Sequence, residues 1–174
     1  MKILSAVVLL ISFTFMSCTE EKTIQALPKS NWNTKESINM QSSFLAEEND
    51  EINSFLKHHK DWNMTKTGTG LRYFIYDKSE SKDTAKIYDE VSLYFEVRLL
   101  DGTICYSQQN DIQKIMIEKT DIESGLHEAL KHMCPNDKAL FILPSHLAHG
   151  LIGDQDKIPP LQPLIYDIHL LKIH

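Results

Sequence analysis

Apolar residues recur in three rhythms along this chain, and each predicts a different element. The first is continuous: residues 3–16 carry no charge and are mostly apolar. The second is helical. Phe44, Leu45, Ile52, Phe55 and Leu56 recur at roughly helical spacing, with acids early and Lys57 and His58 late, as the helix dipole favours. This predicts an N-terminal helix within 41–62 that packs on the domain. The third rhythm is that of strands, expected over 71–76, 91–100, 103–106, 112–117, 139–143 and 164–173. Val91, Leu93, Phe95 and Val97 share one strand face, and Asp101-Gly102 is a hairpin turn signal. Along the last strand Leu164, Tyr166, Ile168 and Leu170 should face the core, leaving Ile165 on the other face, where truncation should cost less.

Among these strands Leu126, Ala129, Leu130 and Met133 mark a short amphipathic helix, ended by Pro135-Asn136-Asp137. Residues 67–70 form a turn, 78–89 a charged loop and 144–163 a long loop. Five or so strands with one short helix predict the α+β class, an antiparallel sheet packed on a helix, over a domain at 63–174.

Composition excludes several functions. With 42% hydrophobic and 24% charged residues, the chain is neither collagen-like nor wholly disordered. The net charge of −6, with scattered Lys and Arg, argues against nucleic acid as a partner. No second long apolar span exists, which excludes a polytopic membrane protein.

The first apolar run reads as a secretory signal over 1–17: Met1-Lys2 opens it and Phe15-Met16-Ser17-Cys18 closes it. A cysteine there resembles the lipobox of bacterial lipoproteins. That resemblance implies lipidation at Cys18, a membrane-anchored chain, and a domain in the cell envelope outside the cytoplasm, most simply the periplasm. An ordinary secreted protein with a chance cysteine is the alternative. Residues 18–40 read as a polar linker. Its Thr19-Glu20-Glu21 start fits either a solvated tether or a surface-export signal.

Motifs of the usual catalysts are missing: no GxSxG, HExxH, P-loop or GxGxxG occurs. The histidines lack metal-ligand spacing, so neither metal nor cofactor is expected. Cys105 and Cys134 read as single buried thiols.

The informative stretch is the second half. Its parts run V-x-L-Y-F-E-V-R-L-L-D-G-T from Val91, G-L-H-E-A-L-K-H-M from Gly125, L-P-S-H-L-A-H-G from Leu143 and I-P-P-L-Q-P-L-I-Y-D-I-H-L-L-K-I from Ile158. In order and spacing these four segments resemble the FKBP-type peptidyl-prolyl isomerases. The architecture more narrowly resembles the gliding-motility-associated isomerase lipoproteins. The resemblance implies a twisted antiparallel sheet wrapped on one short helix, proline-containing protein clients and no cofactor. It also implies a substrate pocket of Phe95, Cys105, Tyr106, Ile122, Leu126, His149, Ile158 and Tyr166, with the backbone N–H of Glu123 holding the substrate carbonyl.

Four pocket positions depart from the family pattern. Cys105 replaces an aromatic, Tyr106 an Asp, Leu126 a Trp and His149 a Tyr. Two functions therefore stand side by side: a working isomerase of modest rate, or an FKBP fold kept as a chaperone or assembly module that binds extracytoplasmic proteins.

Overall fold

The computed structural model describes residues 34–174. It begins with α1 (Thr34–His58), followed by β1 (Thr65–Lys66), β2 (Arg72–Asp77), β3 (Glu90–Leu99) and β4 (Ile104–Met116). A short helix, α2 (Ser124–Leu130), precedes β5 (Lys138–Leu143), a 3-10 turn (Ser145–Leu147) and β6 (Leu164–Ile173). The strands form one antiparallel sheet in the order β1-β2-β5-β6-β3-β4. The α+β expectation holds, with strand β1 added just before the turn expected at 67–70.

Two of the expected strands are one. β4 runs through both 103–106 and 112–117, because Leu93 pairs with Gln113 while Phe95 pairs with Gln108. Residues 109–112 thus stand opposite Tyr94 alone. Such a bulge breaks the alternation without ending the ladder, so the sequence reads as two strands.

One face of the sheet holds the main core. Leu126, Ala129, Leu130 and Met133, from α2 and the turn after it, bury against Val91, Leu93, Val97, Phe141, Tyr166 and Ile168. Gly125 permits this approach: a Cβ there would lie 2.8 Å from the Leu143 side chain and from the Leu147 carbonyl oxygen.

The opposite face is covered as well, which corrects the expectation for Ile165. That residue is only 2% exposed, packed with Ile52 of α1 and with Leu140 and Ile142 of β5. Asn49 and Asn53 on α1 accept from the buried Arg72 guanidinium at 2.7 and 3.0 Å, and the Glu48 carboxylate accepts from the Ser145 N–H at 2.5 Å. α1 begins at Thr34 rather than Gln41, since no Gly or Pro interrupts the chain between Pro28 and Gly68. It stops at His58 rather than 62. There His58 and His59 donate from Nδ1 to the Ser54 and Phe55 carbonyls at 3.0 Å, satisfying acceptors that the helix leaves open. The expected signal (1–17), Cys18 and most of the 18–40 linker lie outside the described residues.

Candidate functional site

The residues the sequence nominates come from four places: β3, β4, the start of α2 with its preceding turn, and the loop between β5 and β6 with the strand that follows. Cys105, Leu126, Ile158 and Tyr166 are buried in the main core, with Phe95, Tyr106 and Ile122 packed against it. Val97 pairs with Tyr166 across β3 and β6, and Val97 with Tyr106 across β3 and β4. The Phe95 and Tyr166 rings lie 6.1 Å apart at 36°. Leu126 is 3% exposed and packs in the same cluster.

Polar groups tie this apolar group to the 144–163 loop. His149 lies 2.7 Å by Nε2 from Glu123 Oε1. The same carboxylate accepts a hydrogen bond from the Tyr166 hydroxyl; burial first, then the charge of Glu123, pushes that phenol well above its ordinary range. Glu123 therefore spends its side chain on the site, not on capping α2, whose N-cap it occupies without a side-chain bond. Its backbone N–H has no backbone acceptor among the described residues.

The loop also supplies a residue that sequence reasoning missed. The Tyr106 hydroxyl donates to Asp154 Oδ2, and the N–H groups of Asp156 and Ile158 donate to Asp154 Oδ1 at 2.9 and 2.7 Å. Burial acts to raise the Asp154 pKa, but these donors together with His149 outweigh it and hold the carboxyl at about 2. The hydrogen bond to Asp154, with some desolvation, pushes Tyr106 up to about 12. Where the family pattern has an acid on the strand, this chain has a phenol on the strand and an acid on the loop. The available signal was a Tyr at the acid's position with two aspartates in the nearby loop. Gly153 makes the local turn possible: its φ is +66°, and a Cβ there would lie 2.1 Å from the Ile158 carbonyl oxygen.

Cys105 has its sulfur 3.7 Å from the Lys157 carbonyl oxygen, and burial, then the charge of Asp154, pushes its thiol up. Cys105 and Cys134 are both buried and unpaired with each other. Another residue outside the nominated set is His127, buried on α2. Its Nδ1 accepts from the Glu118 N–H and its Nε2 donates to the Thr120 carbonyl, each at 3.1 Å, which fixes the turn leading to Ile122 and Glu123. Among the described residues no three His, Cys, Asp or Glu side chains are grouped to hold a metal ion.

This arrangement groups an apolar and aromatic cluster, a backbone N–H without a backbone acceptor, and hydroxyl and imidazole groups tied to carboxylates beside it. Such a site suits a neutral, planar group better than a charged or metal-bound one. Fold and site together define an α+β domain with an apolar, partly aromatic cluster beside its short helix. The family model for FKBP-type peptidyl-prolyl cis-trans isomerase matches residues 81–171, and the chain belongs to that family. It is 34% identical over 122 residues to a probable FKBP-type peptidyl-prolyl cis-trans isomerase FkpA of Neisseria meningitidis, covering 69% of this chain and 44% of that one. It is 29% identical over 108 residues to the macrophage infectivity potentiator of Trypanosoma cruzi, covering 62% and 55% respectively. The chain thus spans about half the length of these curated relatives. A crystal structure of a peptidyl-prolyl cis-trans isomerase from Pseudomonas syringae superposes with a TM-score of 0.62 at 23% identity, covering 76% of this chain and 94% of that one. FkpA from Escherichia coli gives 0.60 at 20%, covering 83% and 75%. These two likenesses show the fold.

Proposed function

We propose that the protein is a peptidyl-prolyl cis-trans isomerase, held to a membrane by lipid on Cys18 and acting outside the cytoplasm on proline-containing clients. In a gliding cell those clients would include parts of the motility apparatus. The observation that carries the isomerase reading is the buried cluster of Phe95, Leu126, Ile158 and Tyr166 beside the Glu123 N–H.

The chemistry needs no nucleophile. An Xaa–Pro amide crosses a barrier of about 18–20 kcal/mol and isomerises alone over tens to hundreds of seconds. Twisting the bond destroys amide resonance and the charge separation that water stabilises. An apolar site therefore disfavours the planar ground state more than the twisted state, and every ~1.4 kcal/mol of difference gives about tenfold in rate. The Glu123 N–H would hold the carbonyl oxygen, Leu126 would form the floor, and Tyr166 and Ile158 the walls.

A second reading has its own support. His149 is engaged by Glu123, and Tyr106 by Asp154, so the loop is tied to both sides of the cleft. That would suit a module that binds without turnover. Exchange rates and binding of an Xaa–Pro peptide, measured together on wild type and on Tyr166→Ala, separate the two. The isomerase reading expects wild-type turnover, with turnover and binding lost together in Tyr166→Ala. Saturable binding by a wild type that does not turn over would refute it and establish the module.

A further inference from the structure

Away from the cleft, a groove of about 640 Å³ runs between α1 and the 145–161 segment. Met40, Phe44 and Leu45 form its helix wall, and Leu151 and Leu161 face them from the loop. Leu151 is 72% exposed and Phe44 39%, so apolar surface stands open to water beside a void that it could fill. An apolar groove rimmed by polar residues is the form that interaction sites take.

The charge around the groove is one-sided. Glu47, Glu48 and Glu51 line it, and no Lys or Arg does among the described residues. Glu48 is turned inward, where it accepts from the Ser145 N–H. Glu47 and Glu51 are exposed and form no salt bridge among the described residues. The groove also shares its loop with the cleft: His149 and Ile158 serve one, Gly150, Leu151 and Leu161 the other.

We propose that this groove is a second polypeptide-binding site, which seats an extended client segment combining apolar with basic side chains and requires no proline. Apolar side chains would fill the gap between α1 and the loop, and Lys or Arg would meet Glu47 and Glu51. A segment held there continues along the shared loop toward the cleft, raising the local concentration of its prolines. The proposal rests on the isomerase reading only in naming a client as the occupant.

The test uses the full chain and two labelled, proline-free peptides that differ only in charge, one of Leu, Phe and Lys, the other of Leu, Phe and Glu. Fluorescence anisotropy reports binding, and exchange of a short Xaa–Pro peptide is measured on the same samples. The lysine peptide is expected to bind at least about tenfold more tightly than the glutamate peptide. Phe44→Ser should weaken it by about tenfold. The pair Glu47→Lys with Glu51→Lys should invert the charge preference, and neither change should slow exchange. Equal binding of both peptides, or binding indifferent to these substitutions, overturns the proposal. So does a wild type that binds neither peptide and sediments as a dimer that Phe44→Ser dissociates, since a second copy would then fill the groove. Capture without exchange would sink the isomerase reading and leave the groove standing; exchange without capture would do the reverse.

Discussion

At the scale of single residues, the pair Tyr106–Asp154 shows how a site can keep its polar character while its residues change places. The acid held at about 2 lies well below the ordinary aspartate value of about 3.9, so folding favours its ionised form. Its contribution is complete above pH ~4 and is lost as pH falls through about 2. Tyr106, pushed up to about 12, behaves in the opposite sense: folding favours the neutral phenol, and that contribution is lost only as pH rises through about 12. Asp154→Asn should therefore be less stable than wild type at pH 7, with the gap closing on acidification toward pH ~2. Urea unfolding at several pH values measures this, and a gap constant with pH would mean that Asp154 is not held in its ionised state. His149 makes a second residue-scale case. If it also donates to the substrate carbonyl, losing a bond of about 1 kcal/mol should slow exchange by about fivefold in His149→Phe. An unchanged rate would leave His149 as a tether for Glu123 alone. That Phe95, Leu126, Ile158 and Tyr166 come together in one cluster was legible because motif spacing fixes them. Asp154 was not, because its partnership with Tyr106 crosses from strand to loop and no local pattern encodes it.

At the scale of elements, periodicity located β2, β3, β5 and β6 to within about a residue and α2 to within about three. It failed where a bulge restarted the alternation in β4, and where two residues of β1 pair with β2. The same limit explains Ile165. Alternation assigned it correctly to the second face of β6, but a strand cannot report what covers that face. The answer lies in α1, which brings Ile52 onto Leu140, Ile142 and Ile165. Ile168→Ala and Ile165→Ala should therefore both lower stability by about 2–5 kcal/mol, the usual range for deleting a buried isoleucine side chain. Ile52→Ala should behave similarly. In a double-mutant cycle Ile52 and Ile165 should be coupled, whereas Ile52 and Ile168, in separate clusters on opposite faces, should be additive within about 0.5 kcal/mol. Denaturant unfolding of the five variants decides the matter. An Ile165→Ala within about 0.5 kcal/mol of wild type would mean that α1 does not hold this face in solution.

At the scale of the whole molecule, the family was legible because four motifs occur in the right order, two of them with a clear backbone reason. Gly125 lets α2 meet β5, and the turn signal Asp101-Gly102 closes the β3–β4 hairpin with Gly102 at a φ of +89°. How α1 divides the surface into a cleft and a groove was not legible, because it depends on packing between segments far apart in sequence. No helix among the described residues is long and apolar enough to cross a membrane. In the proposed reading, attachment outlasts removal of the N-terminal signal through lipid on Cys18. Each buried methylene of an acyl chain contributes about 0.8 kcal/mol, so one chain binds marginally and two or three hold firmly. Wild type should accordingly stay with the membrane fraction after cell breakage and resist extraction by high salt, since the attachment is not electrostatic. Cys18→Ser should either appear in the soluble fraction or remain membrane-bound with its signal uncleaved, a difference visible as a larger chain on a gel. Metabolic labelling with a fatty-acid analogue should mark wild type and not the variant. Normal maturation and unchanged partitioning of Cys18→Ser would remove the lipid anchor from the proposal and leave a secreted isomerase in its place.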